Sequence, residues 1–102
     1  MSDKDVNRYE LSSEADQDVS AIYDYTVEKF GVTQAVQYLQ DIDDMLMQLV
    51  AHPALGRDRP EIRSGVRSKT CHHHVIFYRI VSDCIRVVRV LHESRDVPAL
   101  FE

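Results

Sequence analysis

The sequence predicts an α+β domain in the order β-α-α-β-β-β, with a helical hairpin packed on one face of a mostly antiparallel sheet. Three observations lead there. Between Ser12 and His52 two apolar stripes recur at three- and four-residue spacing, interrupted only around Gly31, which is the pattern of two antiparallel helices joined by two or three residues. After Ser64, three runs rich in β-branched and aromatic residues read as consecutive strands. Ahead of the helices, Arg8 to Leu11 is a short alternating run, a first strand.

Residues 1–7 (MSDKDVN) are polar and acidic and are expected to form a loose tail, with 8–102 a single domain. Ser12 or Ser13 can cap the first helix, with Glu14 and Asp16 in its first turn. Ala15, Val19, Ile22, Tyr23, Thr26 and Phe30 form its apolar face, and Gly31 ends it. Thr33 offers a second cap, followed by the stripe Ala35, Tyr38, Leu39, Ile42, Met45, Leu46, Leu49 and Val50, with Asp41, Asp44 and Gln48 opposite. Pro53 stops that helix near His52, because proline disfavours helical geometry in the residue before it. Pro53 to Ser64 (PALGRDRPEIRS) reads as a charged connecting loop. Val66 to Cys71, His73 to Val81 and Cys84 to His92 are the remaining strands, with Ser82-Asp83 a tight turn.

At 102 residues the chain can bury roughly 60–70% of the surface its unfolded form exposes, enough to fold without disulfides or metal. No run approaches the roughly 18 apolar residues of a membrane span, so a cytoplasmic protein is expected. Cys71 and Cys84 show no CxxC or zinc spacing and read as reduced apolar residues. The net charge of −5 is uneven: three basic residues face eleven acids up to Leu55, and nine face six from Gly56 onward. Overall acidity argues against generic nucleic-acid binding and favours a protein partner.

Alternation places Ile76, Tyr78 and Ile80 on one sheet face and Val75, Phe77, Arg79 and Val81 on the other; in the last strand Val88 and Val90 oppose Val87, Arg89 and Leu91. If the cleaner set packs on the helices, Phe77, Arg79, Val87, Arg89 and Leu91 form an open apolar face studded with arginine, since no third helix is available to cover it. Such a face marks a binding surface. The alternative is that Arg79 and Arg89 pair with Glu61, Glu93 or Asp96 at the sheet surface.

Two chemistries are suggested by residue type. In the run Cys71-His72-His73-His74 only His72 and His74 share a side, so it supplies at most two metal ligands, with His92 a third only in a suitable register; no metal or other cofactor is expected. Metal-free RNA cleavage needs a base, an acid and cations for the developing phosphorane. Arg67, Arg89, His92 and Arg95 could supply base and cations, but the tail Val97 to Glu102 (VPALFE) has no tyrosine or second histidine to act as the acid.

YELSSEA at Tyr9 to Ala15, FGVTQA at Phe30 to Ala35, HPALGR at His52 to Arg57, GVRS at Gly65 to Ser68, HVIFYRI at His74 to Ile80 and RVLHESRD at Arg89 to Asp96 follow one another across nearly the whole chain. Together they resemble the ParE branch of the RelE/ParE toxin superfamily. The resemblance implies the RelE/ParE toxin fold and a toxin of a bacterial type II toxin–antitoxin module, associated with growth inhibition and plasmid stabilisation. It further implies inhibition of DNA gyrase, trapped with its DNA cut, by protein–protein binding rather than catalysis. The implied partner is a ParD-like antitoxin, with DNA reached only indirectly through antitoxin or gyrase and no membrane involved. RelE-like relatives instead cleave messenger RNA on the ribosome; the lysine-rich loop and terminal tyrosine of that branch are missing here. An inactive homologue kept for antitoxin binding is the third reading. On this basis antitoxin is expected on Phe77, Arg79, Val87, Arg89 and Leu91, and gyrase on Arg89, His92, Glu93, Arg95, Asp96, Leu100 and Phe101.

Overall fold

The computed structural model describes residues 6–95. The elements are β1 (Arg8–Leu11), α1 (Ser13–Phe30), α2 (Val32–Ala51), β2 (Arg57–Asp58), β3 (Arg67–Cys71), β4 (His74–Val81) and β5 (Cys84–His92), with one 3-10 turn at Pro53–Leu55. Ser12 caps α1: its Oγ accepts the Ala15 N–H at 3.0 Å and donates to the Val88 carbonyl at 2.9 Å, so one hydroxyl both starts the helix and fastens it to the sheet.

Gly31 is the entire link between the helices. Its φ of 90° is open to glycine and costly for other residues, and its N–H reaches the Val27 carbonyl at 2.9 Å to close α1. The next helix starts at once, with Gly31 O accepting the Ala35 N–H, so Thr33 lies inside α2 instead of capping it. Phe30, expected on the apolar face of α1, sits at the hairpin tip and is 67% exposed.

The sheet order is β1-β5-β4-β3-β2. Two features depart from the sequence reading. The supposed loop contributes β2, which pairs antiparallel with Arg67 and Ser68, and β1 lies parallel to β5, so the first and last strands are neighbours. Both hairpin turns place a non-glycine residue at positive φ, His72 and Ser82.

The helices cover one face of this sheet. Ile22, Ile42, Leu46 and Leu49 pack on Ile76, Tyr78, Ile85, Val87 and Val90, and the Tyr9 hydroxyl donates to Asp43 of α2; burial, followed by that hydrogen bond, pushes the phenol up to about 12. Tyr78, wholly buried, ties the irregular segment after α2 to this core: its hydroxyl donates to the Pro53 carbonyl at 2.7 Å and accepts the Gly56 N–H at 2.9 Å. Gly56 is needed there, because a Cβ would come within 2.5 Å of that hydroxyl and 2.8 Å of the Ser68 carbonyl. Tyr78→Phe leaves both backbone groups without this partner and is expected to cost about 1–3 kcal/mol in urea unfolding. A change below about 0.3 kcal/mol would mean that water replaces the hydroxyl.

The opposite face is not open. Between Phe77 and Tyr78 the β4–β5 register shifts: Phe77 faces Arg89 and Tyr78 faces Val87, leaving Val88 unopposed. One extra residue turns Val87 to the helix side together with Val90, against strict alternation. Beneath, Val66, Phe77 and Leu91 form a second cluster, with Ile62 and Val75 packed on it. Irregular chain covers what a third helix would have covered.

Candidate functional site

Most of the open-face prediction fails on burial. Phe77 and Val87 are 0% exposed and Leu91 3%, so none of them offers a docking surface in this fold. Arg59 lies over the Phe77 ring at 5.8 Å and bonds Glu61 and Ser68, closing that side.

Arg89 is also corrected. The bulge at Val88 lets its guanidinium pass around the free edge of β5 to Asp18 of α1, forming two hydrogen bonds of 2.8 and 2.9 Å. Asp18 Oδ2 also accepts the Val90 N–H at 2.9 Å, satisfying a strand donor that β1, ending at Leu11, does not reach. The Asp18 carboxylate raises the pKa of Arg89, against the opposing effect of burial. For Arg89 the intramolecular alternative holds, with the acid on α1 in place of Glu61 or Glu93; Asp96 lies outside the described residues. A sequence signal existed: Asp18 stands three residues after Ala15 and four before Ile22, both buried, which puts a carboxylate on the helix's inner flank.

Arg79 alone of that set stays exposed. It faces Arg86 across the β4–β5 ladder, while Arg86 is paired with Glu10 of β1. Arg79 has no ion pair among the described residues.

The ribonuclease set is dispersed. Arg67 donates to the Gly56 carbonyl at 2.7 Å, and Arg89 is held by Asp18. Arg67 pairs with Tyr78, whereas His92 pairs with His74 four residues further along the ladder, roughly 13 Å at strand rise.

His92, Glu93 and Arg95 lie together at the end of β5, and Asp96, Leu100 and Phe101 fall outside the described residues. Here the structure puts His74 and His92 in the cross-strand register that the sequence reading left open, and adds Tyr38, Asp41 and Glu93, which it did not connect with them. His74 and His92 are cross-strand partners with rings edge-on at 5.3 Å, and His73 stacks on His92 at 6.5 Å. Tyr38 of α2 shares a 2.6 Å hydrogen bond with His74 Nδ1; His72 meets Asp41 at 2.8 Å and His73 meets Glu93 at 3.2 Å. The four histidines, Tyr38 and Asp41, with Tyr25, Phe30, Gln34 and Gln37, line a cavity of about 420 Å³. A second cavity of about 300 Å³ adjoins it, lined by Asp18, Tyr25, His74, His92 and Arg95 among others. Among the described residues, no group of three or more His, Cys, Asp or Glu is arranged to hold a metal ion.

Burial, followed by the neighbouring His92 and His73, lowers the pKa of His74 below the ordinary 6.5; Glu93 opposes the shift. The unfolded chain therefore binds a proton at higher pH than the folded one. This contribution is absent above about pH 6.5 and becomes a penalty as pH falls through the folded value. The thermal midpoint is expected to drop on acidification from about pH 7 to pH 5.5, and His74→Gln to flatten that drop. Parallel curves for parent and variant would remove His74 as its source.

The architecture matches a chain titled "Chromosomal ParDE TA system from P. aeruginosa", with a TM-score of 0.74, 25% identity and coverage of 87% of this chain and 98% of that one. A hairpin on a sheet whose terminal strands are neighbours is thus the fold of a toxin–antitoxin protein. Residues 9–97 match the family described as "ParE toxin of type II toxin-antitoxin system, parDE". The chain is similar to Toxin ParE1 of Mycobacterium tuberculosis, 40% identical over 92 residues covering 89% of this chain and 94% of that protein. Toxin ParE1 of Caulobacter vibrioides is 33% identical over 91 residues, with the same two coverages, and Toxin ParE of Escherichia coli 29% over 90, covering 87% of each. The chain belongs to the ParE toxin family of type II toxin–antitoxin systems. Such a system pairs a toxin with an antitoxin, which sets the class of its partner. No helix among the described residues is long and apolar enough to cross a membrane.

Proposed function

We propose that this toxin acts in the cytoplasm by binding DNA gyrase and trapping it with its DNA cut, catalyses no reaction of its own, and is neutralised by a ParD-like antitoxin. The observation that carries the non-catalytic part is the use of Arg67 and Arg89 inside the fold, on a backbone carbonyl and on Asp18. Neither guanidinium is free to meet a developing phosphorane charge. The gyrase contact is placed at the end of β5 and beyond, where His92, Glu93 and Arg95 are exposed. Arg79, exposed and without an ion pair among the described residues, is retained for the antitoxin.

One observation favours ribosome-dependent RNA cleavage as a second reading: His74 supplies, beside His92, the second imidazole that the tail lacks. A single set of assays separates the two. Purified toxin is added to gyrase with relaxed plasmid, and separately to a translating ribosome extract. Lost supercoiling with accumulating cleaved DNA and intact messenger RNA is the expected result; intact supercoiling with cut messenger RNA would establish the second reading. Truncation after Arg95 is expected to remove gyrase poisoning without touching the described core. A truncated toxin that still poisons gyrase would remove residues 96–102 from the contact and leave it to His92, Glu93 and Arg95.

A further inference from the structure

Strand register puts a line of arginines on the sheet face away from the helices. Arg57 of β2 is level with Ser68 and Phe77; Arg79 follows Phe77 by two residues on the same face, opposite Arg86; Arg8 of β1 is level with Cys84 and Val81. These four arginines are exposed, and the half-buried Arg59 joins them over the Phe77 ring. Among the described residues three carboxylates accompany the five guanidiniums: Glu10 serves both Arg8 and Arg86, Asp83 lies 3.8 Å from Arg8, and Glu61 bonds Arg59. Asp58, level with Arg67 and Tyr78, falls on the helix side. Glu93 is level with His73, six residues from Arg79 and so roughly 20 Å away at strand rise. This face is therefore net positive in a chain whose net charge is −5.

Two features mark it as a seat for an anion. Arg79 and Arg86 stand directly opposite one another, an arrangement that costs stability, and Glu10 relieves only Arg86. Arg79 has no ion pair among the described residues, and Gly65, at φ 87°, lies beside its guanidinium; a Cβ there would stand 3.5 Å from Nη2, so a side chain at 65 would compete for the space around that cation. Spacing then selects the anion. Two strand spacings across and two residues along separate Arg57 from Arg79, and again Arg79 from Arg8, giving steps of about 12 Å on one diagonal. The major groove of B-DNA is about 12 Å wide, so successive guanidiniums can meet phosphates on its two flanking strands. The planar fork of arginine matches phosphate oxygens.

We infer that this face seats on the phosphate backbone of the duplex that gyrase holds cut, so that the toxin touches DNA itself once gyrase has brought it there. The inference rests on the gyrase reading above. The acidity of the whole chain disfavours free duplex, whereas docking on gyrase holds the arginine face and the duplex at high effective concentration. An antitoxin on Arg79 would cover the same guanidinium, so neutralised toxin cannot also hold the duplex.

The test titrates labelled full-length toxin, at several salt concentrations, into gyrase alone and into gyrase bound to a linear duplex. Affinity at low salt is expected to be about tenfold tighter with the duplex, an advantage that shrinks as salt rises. Arg8→Gln, Arg57→Gln and Arg79→Gln, all at exposed positions, should each lower the salt slope by about one, reduce the cleaved DNA, and leave binding to gyrase alone unchanged. Arg79→Lys, which keeps the charge, should keep the slope. Equal affinity with and without duplex, or a slope unchanged in all three glutamine variants, overturns the DNA contact and leaves the gyrase reading standing. Variants that weaken binding equally with and without duplex overturn it too, because the face would then be a protein contact. No binding to gyrase in either form overturns both.

Discussion

Phe77→Ala is expected to lower the free energy of unfolding by about 3–5 kcal/mol, the range for emptying a fully buried aromatic site. Phe77 is 0% exposed and is enclosed by Val66, Leu91, Val75 and Ile62, with the Arg59 guanidinium 5.8 Å from its ring. Removing the ring costs its transfer free energy and leaves a cavity that can close only if the segment from Arg59 to Val66 collapses onto the sheet. That segment is held at both ends, by the Arg59 N–H on the Val66 carbonyl at 2.8 Å and by β2 pairing with β3, so it follows only partly. Urea denaturation should show a lower midpoint with an unchanged slope. The open-face reading makes the opposite forecast, a loss within about 0.5 kcal/mol as for surface substitutions and weakened partner binding. A loss that small would reinstate it.

Asp18→Ala is expected to cost about 2–4 kcal/mol. The carboxylate makes two bonds to Arg89 and one to the Val90 N–H, and the paired side chains are 14% and 22% exposed. The figure lies below the roughly 3–5 kcal/mol of a fully buried pair because this one retains some solvent. Asp18→Asn, which can still accept from Val90, should cost less. In the cycle with Arg89→Ala, the coupling energy is expected near 2 kcal/mol, the strength of hydrogen bonds to charged groups. Additive losses would show that the pair is geometrically formed but energetically idle. Arg89 is thus a structural residue first, and any effect of its substitution on antitoxin or gyrase has to be corrected for lost stability.

The site was legible in the sequence only in part, and the reasons are specific. Local patterns were sufficient where one element decides: Ser12 before an acidic first turn, glycine at position 31, proline at position 53 and the β-branched runs placed both helices and the last three strands within a residue or two. Those same residues carried the family resemblance, which residues 9–97 confirm. Faces were not decided locally. A single unopposed residue, Val88, reverses the side on which Val87 lies, and alternation carries no mark of a bulge whose cause is the pairing itself. The loop's role in covering Phe77 was hidden for a similar reason, since Ile62 and Val66 have no periodicity and gain meaning only from what they lie against.

The sequence by itself determined the class of fold, the order of its principal elements and the toxin family, because these rest on short-range patterns and on motifs read in order. It also put Arg79 and Arg89 in an apolar strand pair, with a partner surface and an intramolecular acid as the alternatives. Tertiary structure alone decided between them for Arg89. Asp18 is 71 residues from Arg89 along the chain and becomes its partner only when α1 crosses the free edge of β5. The same packing joins His74 to His92 and turns a solvated histidine run into the wall of a groove. Charge and hydrogen bonding act over a few ångströms, and a linear sequence does not reveal which distant residues will come that close.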